Sequence, residues 1–513
     1  MTFQLPYYTY LEQHRSKQSA LYHAIRDGIT SGMLPCRTRL ASSRTLAAQY
    51  GLSRGTVNLV YEMLAAEGYL SSEPGRGTFV LYEAAAHRRE RGSVDARVYP
   101  LSDWARRLEE LNGWRHEVAG QSDSAKKGDG EGEQQGGENG EGEDRAIRFD
   151  LATLDLQQFP AQEWHRFLYA EARGYVQRAT AAMGHPVLGD DALRGAIAAY
   201  LRRARSIDAD PRQIAVVGGS LQAITLLAQL LLGDQSRAVI ENPGYSGALR
   251  AFRAAGADCI ETRVDGEGIV PEDWSAQLLL VTPNRQFPTG AVLPMRRRRE
   301  LLQWAATQGA LIIEDDYDSE FRYRGKALDP LKTLDREGRV IYIGSFSKTL
   351  LPGTRIGYAV LPDPLIEPFA RAKALYEPQP SNLLEQRALA AWMLSGQYER
   401  HLRRMIRVYS RSFRQLGELL TQRLSEAIAF VEGDAGLSLF GWWRLSSALY
   451  MQFRADCARE RVYWSEAVIN QEGERRYGIM LHFPHLSSEQ LRAGIERMEQ
   501  VWLRLQSYHV KES

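Results

Sequence analysis

Three kinds of hydrophobic pattern follow one another along the chain. From Ser16 to Ile29 apolar side chains recur at helical spacing, at Leu21, Ala24, Ile25 and Ile29, which gives a helix with one face to bury. Two shorter helical patterns come next, Ser43–Tyr50 with Ser42 as its N-cap and Arg54–Leu64 with Ser53 as its N-cap, joined by the turn Gly51-Leu52. A hairpin should pair Tyr69–Ser72 with Gly77–Val80 around Glu73-Pro74-Gly75-Arg76. Further on the pattern changes. The runs Ile214–Val217, Ala310–Glu314 and Arg339–Ile343 are apolar with little alternation, as strands buried on both faces are.

Between these regions the pattern stops. Residues 120–145 include Gly128–Glu133 and Gly136–Glu143, which contain no large apolar side chain. Such a stretch cannot offset its ordering entropy and predicts a flexible acidic linker. Just before it, Trp104, Leu108, Leu111 and Trp114 have helix-like spacing and predict a short amphipathic helix over 103–119 that docks on one of the domains. The expected division is a small N-terminal domain at 1–82, a linker at 83–145 and a large domain at 146–513. A chain of 513 residues is long enough for that.

Composition narrows the setting more than the function. Net charge is +1, and residues 1–91 hold eleven Lys+Arg against seven Asp+Glu, 11 − 7 = +4. A solvated basic face explains so small a surplus as well as nucleic acid does. Cys36, Cys259 and Cys457 share no metal-ligand spacing and read as reduced thiols, so no metal is expected. No basic-then-apolar leader and no apolar run of membrane-span length is present, so a cytoplasmic protein is expected, with no membrane partner.

Candidate chemistry gathers at the ends of two of the apolar strands. After Arg339–Ile343 the chain reads Gly344-Ser345-Phe346-Ser347-Lys348-Thr349, with Arg355 seven residues beyond the lysine. A lysine at a strand end can condense with an aldehyde while hydroxyls and an arginine bind a phosphate. After Ala310–Glu314 come Asp315-Asp316-Tyr317, an acid and a phenol suited to a pyridinium nitrogen and a phenolate oxygen. Pyridoxal phosphate requires that set of groups.

These residues resemble those of the fold-type-I, aspartate-aminotransferase-like enzymes, from about Ala146 to the C-terminus. The resemblance makes Lys348 the Schiff-base lysine, Asp315 the partner of the ring nitrogen and Tyr317 the contact of the ring hydroxyl. It puts Tyr245, in Glu241-Asn242-Pro243-Gly244-Tyr245, on the ring face. Ser345, Arg355, Gly219 and Ser220 match phosphate ligands. The N-terminal residues resemble the GntR-type winged helix-turn-helix in Leu40–Arg44, Leu52–Val57, Ala66–Leu70 and Gly75–Thr78, with Ala41 standing where that family usually has proline. By family position Arg44, Arg54, Thr56, Asn58 and Arg76 face DNA. A winged helix followed by a long linker and an aminotransferase-like domain resembles the MocR subfamily of GntR regulators. That implies an α/β multi-domain chain: a winged helix-turn-helix, then a transferase-like domain with a mixed, mostly parallel sheet and a smaller C-terminal α+β subdomain. It also implies a homodimer on double-stranded DNA, with bound pyridoxal phosphate sensing a small-molecule effector.

The substrate side departs from that pattern. Ile479-Met480-Leu481-His482-Phe483 stands where the enzymes have Leu-Arg-Leu-Gly-Phe, so Met480 takes the place of the arginine that holds an α-carboxylate. Arg475 and Arg476 lie nearby as substitutes. Thr282-Pro283-Asn284-Arg285-Gln286-Phe287-Pro288 replaces Thr-Pro-Ser-His-Gln-Phe-Pro, and Arg285 reads as a new anion ligand or, preferably, as a surface charge. An intact cofactor side with an altered amino-acid side favours ligand sensing over turnover. The alternative is an aminotransferase whose N-terminal module only tethers or dimerises it.

Overall fold

The computed structural model describes residues 5–14, 16–73, 76–82, 102–111, 146–150, 153–181, 186–325, 328–471 and 473–512. The chain separates into two compact units, Met1–Pro100 and Leu101–Ser513. Most of the expected linker, including 120–145 and Trp114, lies outside the described residues.

The first unit contains helices α1 (Tyr7–Gln13), α2 (Lys17–Thr30), α3 (Ser43–Tyr50) and α4 (Arg54–Ala66), then an antiparallel hairpin of β1 (Leu70–Glu73) and β2 (Gly77–Val80). Three serines start three of these helices: Ser16, Ser42 and Ser53 accept hydrogen bonds from the amides of Ser19, Thr45 and Thr56. Gly51, at φ +63°, turns α3 into α4, a conformation costly for side chains with a Cβ. Leu21, Ala24 and Ile25 of α2 bury against Leu46, Val57, Val60 and Leu64, so this unit has its own core. Helix α1 was not expected; it is fixed by Tyr7, which is buried beside Tyr50.

In the second unit the apolar runs become the middle of an eight-stranded sheet. Its strands are β4 (Ile214–Val217), β5 (Arg237–Asn242), β6 (Asp258–Asp265), β7 (Gly268–Ile269), β8 (Leu278–Val281), β9 (Leu311–Asp316), β10 (Val340–Ser345) and β11 (Gly357–Val360). Their spatial order is β4-β11-β10-β9-β8-β5-β6-β7. The sheet is mostly parallel, with β11 antiparallel to both neighbours and the short β7 antiparallel to β6. All four residues of β4, β8 and β11 are buried, as expected of strands covered on both faces. A second sheet, β12-β13-β15-β14-β3, belongs to the smaller α+β part. Its strands are β3 (Ile147–Phe149), β12 (Ile428–Phe430), β13 (Ser438–Trp443), β14 (Val462–Gln471) and β15 (Glu474–His482). Its core is closed by helices Gln397–Arg423, Ser447–Arg459 and Ser488–Glu512.

The helix expected at 103–119 is described over Asp103–Glu110. It docks on the second unit, but not by its apolar face: Trp104 and Leu108 are exposed. The contact is polar. Arg107 donates from Nε to the carbonyl of Ala254 at 3.0 Å and reaches Asp234 at 3.4 Å. The last turn of helix Ser246–Ala254 presents carbonyls that lack helical partners, and an arginine satisfies one.

Residues 1–82 expressed alone should unfold in one cooperative transition, because their core is self-contained. Leu64→Ala, at a fully buried position, should lower that stability by about 2–5 kcal/mol. Denaturant unfolding monitored by circular dichroism checks both expectations.

Candidate functional site

The antiparallel insertion of β11 decides where the candidate residues meet. Ser345 at the end of β10 pairs with Gly357 at the start of β11, and Gly357 pairs with Val217 at the end of β4. On the other side Asp315 of β9 pairs with Ile343 of β10. One rim of the sheet therefore carries Gly219 and Ser220, Arg355, Ser345 and Asp315, with Tyr317 and Lys348 just beyond their strands. Sheets of this kind bind ligands outside such strand ends.

At one end of the rim lies an anion-type corner. Gly219 has φ +116°, and a Cβ there would fall 2.7 Å from Nη2 of Arg355. Only glycine lets the backbone and the guanidinium come this close. Gly219 gives helix Ser220–Leu231 no side-chain cap, and the uncapped amino end of a helix favours an anion. Arg355 is itself at φ +48°, and Ser345 Oγ accepts from the Ser347 amide at 3.2 Å.

Asp315 occupies the other end. It is 5% exposed, and its Oδ1 has no hydrogen-bond partner among the described residues. Burial, then the neighbouring Asp316 and Glu241, pushes its carboxyl up to about 7. A buried acceptor without a donor is costly, and a cationic ring N–H would satisfy it. Tyr317 meets the edge of Phe287 at 5.6 Å, and Phe287 meets Tyr245 at 6.2 Å. The half-buried Lys348 is held below the usual lysine range chiefly by burial, with Asp318 opposing. His482 is pushed down to about 3 by burial, then by Lys348 and Arg285, so its imidazole is neutral. An orphaned acid, a low-pKa lysine, an aromatic face and a glycine-backed arginine together fit pyridoxal phosphate.

Arg285 is not a surface charge. It is 7% exposed and donates from Nη1 to the Tyr317 hydroxyl at 2.7 Å and to Asp318 at 3.1 Å. From Nη2 it reaches the Ser438 carbonyl at 2.8 Å, and from Nε the Ala435 carbonyl at 3.2 Å. Burial opposes its charge, but Asp318 and Tyr317 hold it protonated. It thus fixes Tyr317 and ties the end of β9 to the smaller α+β part. Sequence reasoning also missed Glu241. That carboxylate is buried and pushed up to about 7 by burial, though it accepts from the Thr282 hydroxyl at 2.6 Å and Gln286 Nε2 at 3.2 Å. An acid ending the apolar run Ala238–Ile240 was the available signal.

Met480 is 7% exposed and packs with Phe440, Ala467 and Phe287. With Tyr245 it lines a cleft of 720 Å³. Arg476 lies over the ring of Trp442 at 4.5 Å, which accounts for one of the two nearby substitutes.

In the first unit Arg54 and Asn58 are exposed on one side of α4, as is Leu59 beside them, an apolar side chain that the sequence did not single out. Thr56 is half-buried, and its hydroxyl contacts Ser53 Oγ at 2.8 Å, so it helps to cap the helix. Arg44 is exposed at the start of α3. Arg76 is exposed on the hairpin and pairs with Glu73 at 3.1 Å. A Cβ on Gly77 would fall 2.9 Å from Arg39 Nε, so a second arginine lies against the hairpin. Helix, turn, helix and a basic hairpin are the parts of a winged DNA-binding domain.

A helix-turn-helix unit joined to an aminotransferase-type domain defines a class of transcription regulator. Residues 17–80 match the model of the bacterial regulatory proteins of the gntR family, and residues 168–497 match aminotransferase class I and II. The chain is 33% identical over 500 residues to the probable rhizopine catabolism regulatory protein MocR of Rhizobium meliloti, covering 95% of this chain and 94% of that one. It is 33% identical over 437 residues to the HTH-type transcriptional regulator TauR of Rhodobacter capsulatus, covering 83% and 84%. Kynurenine aminotransferase of Pyrococcus horikoshii superposes with a TM-score of 0.62 at 24% identity, over 69% of this chain and 90% of that one, a likeness of fold. The chain belongs to the MocR-type GntR regulators. Among the described residues no helix is long and apolar enough to cross a membrane.

The raised carboxyl of Asp315 has a stability consequence. A group whose folded pKa, about 7, exceeds its unfolded value, roughly 4, destabilises the fold increasingly as pH rises from 4 to 7. Asp315→Asn should therefore match the parent near pH 4. It should exceed the parent at pH 8 by something on the order of 1–4 kcal/mol. Urea unfolding of the cofactor-free proteins at the two pH values measures the difference.

Proposed function

We propose that this chain is a DNA-binding transcription regulator whose aminotransferase-type domain binds pyridoxal phosphate and senses a small effector with it. The observation that carries the reading is Asp315, whose buried, unpartnered Oδ1 calls for a cationic partner in a chain that also holds a complete helix-turn-helix. In this reading Lys348 holds the aldehyde carbon, Asp315 the ring nitrogen and Tyr317 the ring hydroxyl. Tyr245 would cover the ring face, and Gly219, Ser220, Ser345 and Arg355 would hold the phosphate. When bound, the group supplies an aldehyde that captures primary amines reversibly and a ring that withdraws electrons.

The chain's own residues supply the rest. Burial keeps Lys348 easier to deprotonate than a surface lysine, so more of it is nucleophilic at neutral pH. Asp315, once paired, keeps a proton at the ring nitrogen. Arg285 holds Tyr317 in place. Met480 gives packing where a bidentate arginine would orient an α-amino acid. Poor orientation costs orders of magnitude in rate, so capture of an amine without sustained turnover is the expected behaviour. The domain boundaries at 82 and 145, a homodimer reading two half-sites with Arg44, Arg54, Thr56, Asn58 and Arg76, and a cytoplasmic location belong to the same proposal.

Purified protein should be yellow, and Lys348→Ala should lose the visible absorbance; an unchanged spectrum in that variant rejects the assignment. Arg54→Ala and Arg44→Ala should each weaken operator binding by about 1–3 kcal/mol if they read bases, measured by footprinting on the upstream region of the protein's own gene. A panel of amino acids with 2-oxoglutarate or pyruvate, followed for hours, should give no sustained keto-acid product. Multiple turnover with any common amino acid would favour the aminotransferase alternative.

A further inference from the structure

The cleft beside the rim is asymmetric in chemistry. Its inner wall is apolar, built from Met480, Phe287, Tyr245 and Trp464. Its charged lining is Asp150, Glu241, Glu261 and Glu466 against one base, Arg454. That base is already committed, because its Nη1 is in contact with Glu466.

Three further arginines, Arg148, Arg253 and Arg285, are committed as well. Arg148 is bound to Asp150 through both Nε and Nη2, at 3.0 and 2.7 Å. Arg253 pairs with Glu261 at 2.7 Å. Arg285 spends its donors on Tyr317, Asp318, Ala435 and Ser438. Arg355 lies against Gly219 in the anion corner, and neutral His482 offers no charge. A carboxylate brought into this cleft would lose its water against an apolar wall and find Arg454, the base in the lining, already paired with Glu466, which is costly. An amine without a carboxylate brings no such charge, and its hydrocarbon body would cover Met480 and Phe287.

We infer that the effector is a primary amine without a carboxylate, carrying an apolar body of several carbons that lies against Met480. The inference rests on the reading of the rim as a pyridoxal phosphate site. It adds a selectivity rule: an amine is preferred to the α-amino acid with the same side chain.

The test uses the full-length chain loaded with pyridoxal phosphate and two matched pairs, isopentylamine with leucine and phenethylamine with phenylalanine. Binding is read from the visible spectrum of the cofactor and, independently, from footprinting on operator DNA. Each amine should have an apparent Kd at least ten-fold below that of its amino acid and should change DNA binding at a correspondingly lower concentration. Met480→Arg should move the ratio at least ten-fold toward the amino acids while keeping the cofactor absorbance. Should the buried arginine prevent folding, the comparison in the unaltered chain decides alone. Equal or tighter binding of the amino acids, or binding of neither, overturns the inference and leaves the cofactor reading standing. An unchanged ratio in a folded Met480→Arg protein overturns the role given to Met480. A chain that takes up no pyridoxal phosphate overturns both readings.

Discussion

The carboxyl end of β9 buries Glu314, Asp315, Asp316 and Asp318 within five residues, and so dense a set of acids folds only if each one is answered. Glu314 accepts the amides of Leu331 and Lys332, both at 2.8 Å. Asp316 accepts the Tyr342 hydroxyl at 2.5 Å and faces Arg205 at 3.7 Å. Asp318 pairs with Arg285. Asp315 and Asp318 each keep one oxygen, Oδ1, without a donor, but Asp318 has Arg285 as its counter-charge, while no cation pairs with Asp315 among the described residues. With the charges of its neighbours answered inside the fold, Asp315 is the acid whose burial the proposed cofactor would offset. The site is a local deficit placed inside an otherwise balanced charge cluster.

The fold was legible where its cause is local. The unbroken run Ile214–Val217 is a strand with the expected limits, since four consecutive apolar residues admit few other solutions. The serine caps of α2, α3 and α4 could be read because a hydroxyl acts on an amide three residues away. Lys348, Asp315 and Gly219 could be picked out because each follows or ends such a strand. Arg285 could not. Its partners Asp318, Ala435 and Ser438 lie from 33 to 153 residues further along the chain, and nothing next to it signals burial. The helix at 103–110 shows the opposite error. Its apolar spacing suggested a buried face, yet its contact is made by Arg107 on helix-end chemistry.

The two sides of the site obey different constraints. The rim proposed for the cofactor is set by the backbone: the register of β4, β11, β10 and β9 fixes which residues share it, and the positive φ of Gly219 disfavours any side chain there. The cleft proposed for the effector is set by side chains packed between two parts of one unit, Met480 on β15 and Phe287 in the loop after β8. Side chains in such a wall exchange with little disturbance to the sheet. One scaffold can thus keep its prosthetic chemistry while its ligand changes.

The anchoring of Arg107 to Ala254 and Asp234 changes where the second unit begins along the chain. Residues 103–110 belong to it by contact, so the 34 residues from 112 to 145 connect two segments of one unit. Of the linker expected at 83–145, only the 19 residues 83–101 then separate one unit from the other along the sequence. An insertion at 112–145 is in effect an insertion within one domain, whose entropic cost grows only slowly with its length.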